Sequence, residues 1–122
     1  MSDAGNQVQA TIGSEWVDDV LVLKPSGRVD SNNAGSAEAM ILGQVDGGAQ
    51  RIVLDMAELD YVSSAGLRVL LVTAKRLRQT GGRMALCQLR PNVHEVLEVS
   101  GFLAILTVCD GREAAIGEVT KT

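Results

Sequence analysis

Near the start of the chain, apolar Val8, Ala10 and Ile12 alternate with polar Gln7, Gln9 and Thr11, the period-two pattern of a strand with one buried face. Asp18-Asp19 reads as a turn, and the apolar run from Val20 to Leu23 as the returning arm of a hairpin that stops at Lys24-Pro25, since proline cannot donate to a ladder. Gly27 permits a bend before Arg28-Val29-Asp30, which puts Asp30 at a strand end. Ser31-Asn32-Asn33 supply helix caps, after which Ala34, Ala37, Ile41 and Val45 recur every three or four residues until Gly47-Gly48. A first helix is expected there. Ile52-Val53-Leu54 is aliphatic without interruption, as in strands covered on both faces, so Arg51 to Met56 is expected to be the central strand.

Leu67, Leu70, Leu71, Ala74 and Leu77 form a clean helical stripe, with Lys75, Arg76 and Arg78 complementing the negative helix end before Gly81-Gly82 stops it. This second helix is expected to begin within a residue or two of Ser64. Met84 to Leu89 reads as another buried strand. Pro91 opens a third helix with Val93, Val96, Leu97 and Val99 on its apolar side, closed by Ser100-Gly101. Leu103 to Val108 is expected to be a last strand, and Asp110 the cap of a short helix through Ile116. A hairpin followed by strand–helix repeats predicts an α/β fold, a mixed sheet with about four helices packed on it, because parallel neighbours need helical crossovers.

The length of 122 residues fits one core, expected over residues 7–118 between flexible ends at 1–6 and 119–122. A hydrophobic fraction of 46% with only Trp16, Tyr61 and Phe102 as aromatics makes that core aliphatic. A net charge of -4 and the lack of stacking platforms argue against direct nucleic-acid binding. No apolar stretch approaches the ~20 residues of a membrane span, and Met1 to Asn6 are polar rather than signal-like. A cytoplasmic protein without direct membrane insertion is expected. Cys87 and Cys109 lack metal-ligand spacing and are expected to be reduced and buried in separate strands. His94, the one histidine, is expected on a helix surface. No metal site, cofactor or assembled acid–base pair is expected, and therefore no enzyme; Lys75-Arg76-Leu77-Arg78 reads as a solvated helix end.

The segment Asp60-Tyr61-Val62-Ser63-Ser64-Ala65-Gly66-Leu67 enters the second helix. Its two hydroxyls stand where a helix presents unpaired N–H groups and the positive end of its dipole, both favourable to phosphate. Ser63 or Ser64 could equally be a plain N-cap. Ala65 and Gly66 either leave the hydroxyl uncovered or serve tight helix–strand packing.

This stretch resembles the signature of the STAS domain family, in which an acidic residue, Ser, Ser or Thr, Gly and Leu lead into an amphipathic helix. Further matches are Ser26-Gly27-Arg28-Val29-Asp30, Arg51-Ile52-Val53-Leu54-Asp55, Gly81-Gly82-Arg83-Met84 and Val99-Ser100-Gly101-Phe102. The resemblance implies a bacterial anti-sigma factor antagonist, a non-catalytic partner switch. Its unphosphorylated form binds an anti-sigma factor that is also a serine kinase, and a PP2C-type phosphatase acts on the phosphorylated form. Ser64 falls at the phosphorylated position. Ser63 occupies the acidic position, which makes it the alternative acceptor, and Ala65 replaces the second hydroxyl. Asp30 matches the acidic residue beside the phosphorylation loop, though a loop-capping role is open to it as well. With Ser63, Ala65 and Gly66 it completes the expected partner-contact set. The other readings are a STAS ligand- or nucleotide-binding module, or an adaptor subunit of a membrane transport or signalling assembly.

Overall fold

The computed structural model describes residues 9–121; the expected flexible Met1–Asn6 and the strand residues Gln7 and Val8 lie outside them. The hairpin forms from β1 (Thr11–Val17) and β2 (Val20–Val29), antiparallel with Val17 opposite Val20. Asp18 takes φ 55°, the left-handed geometry that two-residue hairpin turns favour. Helix α1 spans Ala34–Asp46 and β3 spans Arg51–Asp55. The next strand, β4 (Leu59–Val62), precedes α2 (Ser64–Gln79). After them come β5 (Arg83–Cys87), α3 (Pro91–Val99), a 3-10 turn over Phe102–Ala104, β6 (Val108–Cys109) and α4 (Arg112–Thr120).

The sheet order is β1-β2-β3-β5-β6, parallel apart from the hairpin, with β3 in the middle as expected. β2 is long enough to serve two parallel partners: Leu21–Leu23 pair with β3, and Gly27–Val29 pair with β4. Pro25 sits between those two pairings, where a strand tolerates a residue without an N–H. The expected stop at Lys24-Pro25 therefore does not occur. Helices cover both faces. Ile52 and Leu54 face the larger core with Ala37, Leu67 and Leu97. Val53, Ala85 and Cys87 face the smaller one, closed by Ala115 and Val119 of α4.

Three expectations are corrected at the C-terminal end. Leu103 to Val108 is a strand only at its last residue, Val108: Gly101 at φ 83° turns the chain, the Ile105 and Leu106 N–H groups donate back to the Phe102 carbonyl, and Ile105 is 55% exposed. Local hydrogen bonds take the place of a ladder at Ile105 and Leu106, and the sheet is rejoined only at the Thr107 carbonyl, which accepts from the Leu86 N–H at 2.8 Å. Asp110 does not cap α4, which starts after Gly111 and continues through Thr120, two residues past the expected boundary at 118, with Val119 buried. Val99 ends α3 facing solvent at 81% exposure rather than facing the core.

Cys87 and Cys109 are free thiols in separate strands, register partners across β5 and β6; Cys87 is buried, but Cys109 is only half-buried on the short edge strand. Burial, reinforced by the Asp55 carboxylate, pushes the Cys87 thiol up to about 11. Burial also raises Cys109, with Glu118 adding to it. A thiol reagent at pH 8 is expected to label Cys109 first and Cys87 only as the protein opens, because the thiolate is the nucleophile. Mass-spectrometric time courses would contradict this if Cys87 reacted first.

Candidate functional site

The two serines divide the roles that the sequence left open. Ser63 is the N-cap of α2: its backbone is extended, its Oγ accepts from the Gly66 N–H at 3.4 Å, and its carbonyl accepts from Leu67 at 2.9 Å. Ser64 is the first helical residue and is exposed, so α2 begins where the stripe placed it. The Ser63→Ala variant is expected to cost ~0.5–1 kcal/mol, the low end for a lost cap given the long hydrogen bond, whereas Ser64→Ala should leave the melt nearly unchanged. Equal losses in paired melts would refute that division.

Gly66 explains how the turn is held. A Cβ there would lie 2.6 Å from Val62 Cγ2, 2.9 Å from the Val29 carbonyl oxygen and 3.1 Å from Val29 Cγ1. The first turn of α2 is thus pressed onto the end of β2, and the Ser63 N–H donates to that same Val29 carbonyl at 2.9 Å. Tight packing is the role of Gly66. Ala65 is half-buried against the larger core and does not form an open approach.

Asp30 follows β2 directly, next to the Val29 peptide that holds Ser63. Its Oδ1 accepts from the Asn32 N–H at 2.9 Å, and its Oδ2 lies 3.6 Å from Arg28 Nε. Asn33 Oδ1 accepts from the Asp30 N–H at 2.9 Å, and Asn33 Nδ2 donates to the Arg28 carbonyl at 2.8 Å. Asp30 therefore folds the β2–α1 loop in addition to standing at the site.

Several residues here gave no sequence signal. β4 has no strand pattern of its own in the sequence; Leu59 and Val62 are buried while Asp60 and Tyr61 between them are exposed, and four residues are too few for periodicity to show. The Arg28 guanidinium lies 4.3 Å from the centroid of the exposed Tyr61 ring, a cation–π contact. Arg90 holds the β3–β4 loop by donating from Nε to the Ala57 carbonyl at 2.9 Å and pairing with Asp60, while Asn92 Nδ2 donates to the Asp60 carbonyl at 2.6 Å. A cavity of about 490 Å³ beside the loop carries Arg28 but also the carboxylates of Asp30 and Asp60, a poor environment for a phosphate tail.

Below the site, buried Asp55 ends β3 and accepts on Oδ2 from Arg112 Nη2 at 2.9 Å and Nε at 3.2 Å. Gln88 Nε2 reaches both of its oxygens at 3.2 Å, and Oδ1 also takes the Ala57 N–H at 3.1 Å. Arg112 bonds Glu15 as well, at 3.1 Å, and these carboxylates raise its pKa above the ordinary value, Asp55 foremost. This cluster anchors α4 to the sheet.

A model of the STAS domain family matches residues 12–115. The chain belongs to the STAS domain family. BtrV of Bordetella bronchiseptica, named as a candidate anti-sigma factor antagonist, is 52% identical over 99 residues, covering 81% of this chain and 85% of BtrV. The anti-sigma F factor antagonist of Paenibacillus polymyxa is 34% identical over 105 residues, covering 82% of this chain and 86% of that protein. The crystal structure of a candidate anti-sigma factor antagonist from Thermotoga maritima superposes with a TM-score of 0.85 at 24% identity, over 90% of this chain and 95% of that one. That last likeness concerns the fold: a STAS sheet with hairpin and four helices.

His94 is exposed, as are Lys75 and Arg78, while Arg76 pairs with Asp46 of α1 at 2.7 Å. Among the described residues no group of three or more His, Cys, Asp or Glu side chains could hold a metal ion, and no helix is long and apolar enough to cross a membrane.

Proposed function

We propose that this STAS protein is a bacterial anti-sigma factor antagonist controlled by phosphorylation of Ser64. The observation that carries the reading is the exposed hydroxyl of Ser64 on the first residue of α2, beside a neighbour, Ser63, that is committed to capping. A kinase can reach Ser64 without unfolding the turn, and the phosphate would stand at the positive end of a 16-residue helix, where it is favoured by ~0.3–1 kcal/mol. The names of BtrV and the Paenibacillus polymyxa protein support the same role.

In this reading the unphosphorylated surface formed by Ser63, Ser64, Ala65, Gly66 and Asp30 binds an anti-sigma factor that is also a serine kinase. Adding ~1.5–2 negative charges to that contact opposes binding by desolvation and repulsion, with no change of fold, and a PP2C-type phosphatase would reset it. The protein itself performs no catalysis and acts in the cytoplasm.

The test is a binding titration against the cognate kinase, with phosphorylation followed by mass spectrometry. Ser64→Ala is expected to bind like wild type and to accept no phosphate. Ser64→Asp should weaken binding at least tenfold, ~1.4 kcal/mol, with an unchanged melt. Phosphorylation lost in Ser63→Ala but kept in Ser64→Ala would move the acceptor to Ser63, and phosphorylation kept in both would defeat the switch.

A further inference from the structure

The end of the sheet opposite Ser64 carries a concentration of positive charge that the switch does not use. Arg51 and Arg83 open β3 and β5 and are register partners in adjacent parallel strands. By strand alternation they share the face of Val53 and Ala85, the face covered by α4. Lys121 follows the last residue of α4. These three cations, with Gln50 and Gly81, line a cavity of about 380 Å³ that has no apolar or acidic side chain in its wall. Like charges side by side on a sheet repel, and on a chain of net charge -4 they are not a by-product of a generally basic surface.

The base of the cavity is rigid. A Cβ on Gly82 would lie 2.5 Å from the Gln50 carbonyl oxygen, and the Arg83 N–H donates to that carbonyl at 2.8 Å. The α2–β5 turn is thereby fixed against the start of β3, which holds the two arginines together. Arg51 pairs with Asp19, and Lys121 with Glu118 at 2.8 Å, neither carboxylate lining this cavity. Arg83, and Arg78 with it in an adjoining cavity of about 200 Å³ whose wall also carries Glu118, form no salt bridge among the described residues. Arginine forks bind phosphate oxygens in bidentate fashion. A macromolecular contact, by contrast, would call for apolar or aromatic anchors, which this wall lacks.

We propose that Arg51, Arg83 and Lys121 form a binding site for a phosphate group, either free inorganic phosphate or polyphosphate, or the phosphate tail of a nucleotide. The site is independent of Ser64, lying at the far end of α2, ~24 Å away by helix rise.

The test is an NMR titration of the full chain at constant ionic strength, with sodium chloride as the reference salt and with inorganic phosphate, tripolyphosphate, AMP and ATP as probes. Saturable shifts are expected at Gln50, Arg51, Gly81, Arg83 and Lys121, with tripolyphosphate tighter than phosphate. Matching affinities for ATP and tripolyphosphate would make the phosphate tail alone the ligand, and an ATP affinity tenfold higher at the same amides would make the nucleotide its source. Arg83→Gln should weaken binding about tenfold and Arg83→Glu should abolish it. Arg68→Gln, which removes the same charge at the other end of α2, should bind like wild type. The spectrum itself reports whether each variant is folded. Shifts that never saturate, shifts that chloride reproduces, or an Arg83→Gln affinity equal to wild type would each overturn the site.

Discussion

Replacing Asp55 with alanine is expected to destabilise the protein by ~3–5 kcal/mol, the usual cost of removing one partner of a buried ion pair. Asp55 is 2% exposed, and its two oxygens accept from Arg112, Gln88 and the Ala57 N–H. Truncation strands the Arg112 cation, whose pKa is already raised by Asp55, with Glu15 as its remaining carboxylate. Because the Arg112 side chain is 28% exposed, it can turn partly to water, so the loss should fall at the lower end of the range. A double variant, Asp55→Leu with Arg112→Leu, should lose less than Asp55→Ala, since no charge is then left unpaired. Urea unfolding of wild type and the two variants decides it. A loss below ~1 kcal/mol for Asp55→Ala would mean that the cluster does not anchor α4.

Asp55 also shows where the sequence stops being legible. The run Ile52-Val53-Leu54 announces a buried strand by composition alone, and the stripe from Leu67 to Leu77 announces α2. Patterns of that kind are local, and helices α1, α2 and α3 and strands β3 and β5 emerge from them. The side-chain partners of Asp55 lie 33 and 57 residues away along the chain, and no local pattern encodes a pairing at that distance. β4 escapes for a different reason: it is stabilised by β2 over Gly27–Val29 and not by its own period. The run from Leu103 to Val108 misleads in the other direction. Its apolar residues suggest a strand, yet β6 is an edge of two residues; before it only the Thr107 carbonyl reaches β5, while Ile105 and Leu106 donate locally to the Phe102 carbonyl.

At the site, the sequence places Ser63, Ser64, Gly66 and Asp30 at one end of the fold but leaves their division of labour open. Which serine caps depends on one residue of helix register, finer than sequence boundaries allow. The reason for Gly66 is a contact with a carbonyl 37 residues earlier, which only the packed structure shows.

That contact gives the second large effect. Gly66→Ala is expected to cost ~1–3 kcal/mol, as overpacking does, because the new methyl would sit 2.6 Å from Val62 Cγ2 and 2.9 Å from the Val29 carbonyl oxygen. A flexible side chain could yield, but a β-branched valine and a ladder carbonyl cannot, so the first turn of α2 must move away from β2. Adding Val62→Ala removes the shorter clash and should recover part of the loss as a favourable coupling in a double-mutant cycle. Recovery should be incomplete, since the Val29 carbonyl remains and Val62→Ala opens a cavity of its own. The same displacement would pull Ser63 from the Val29 carbonyl and shift Ser64 with it. Gly66→Ala should therefore weaken partner binding beyond what its lower stability explains, measured at a temperature where the variant is fully folded. A variant as stable as wild type would show that helix and strand are not pressed together here, and one that is destabilised yet binds normally would separate the packing of this turn from its recognition.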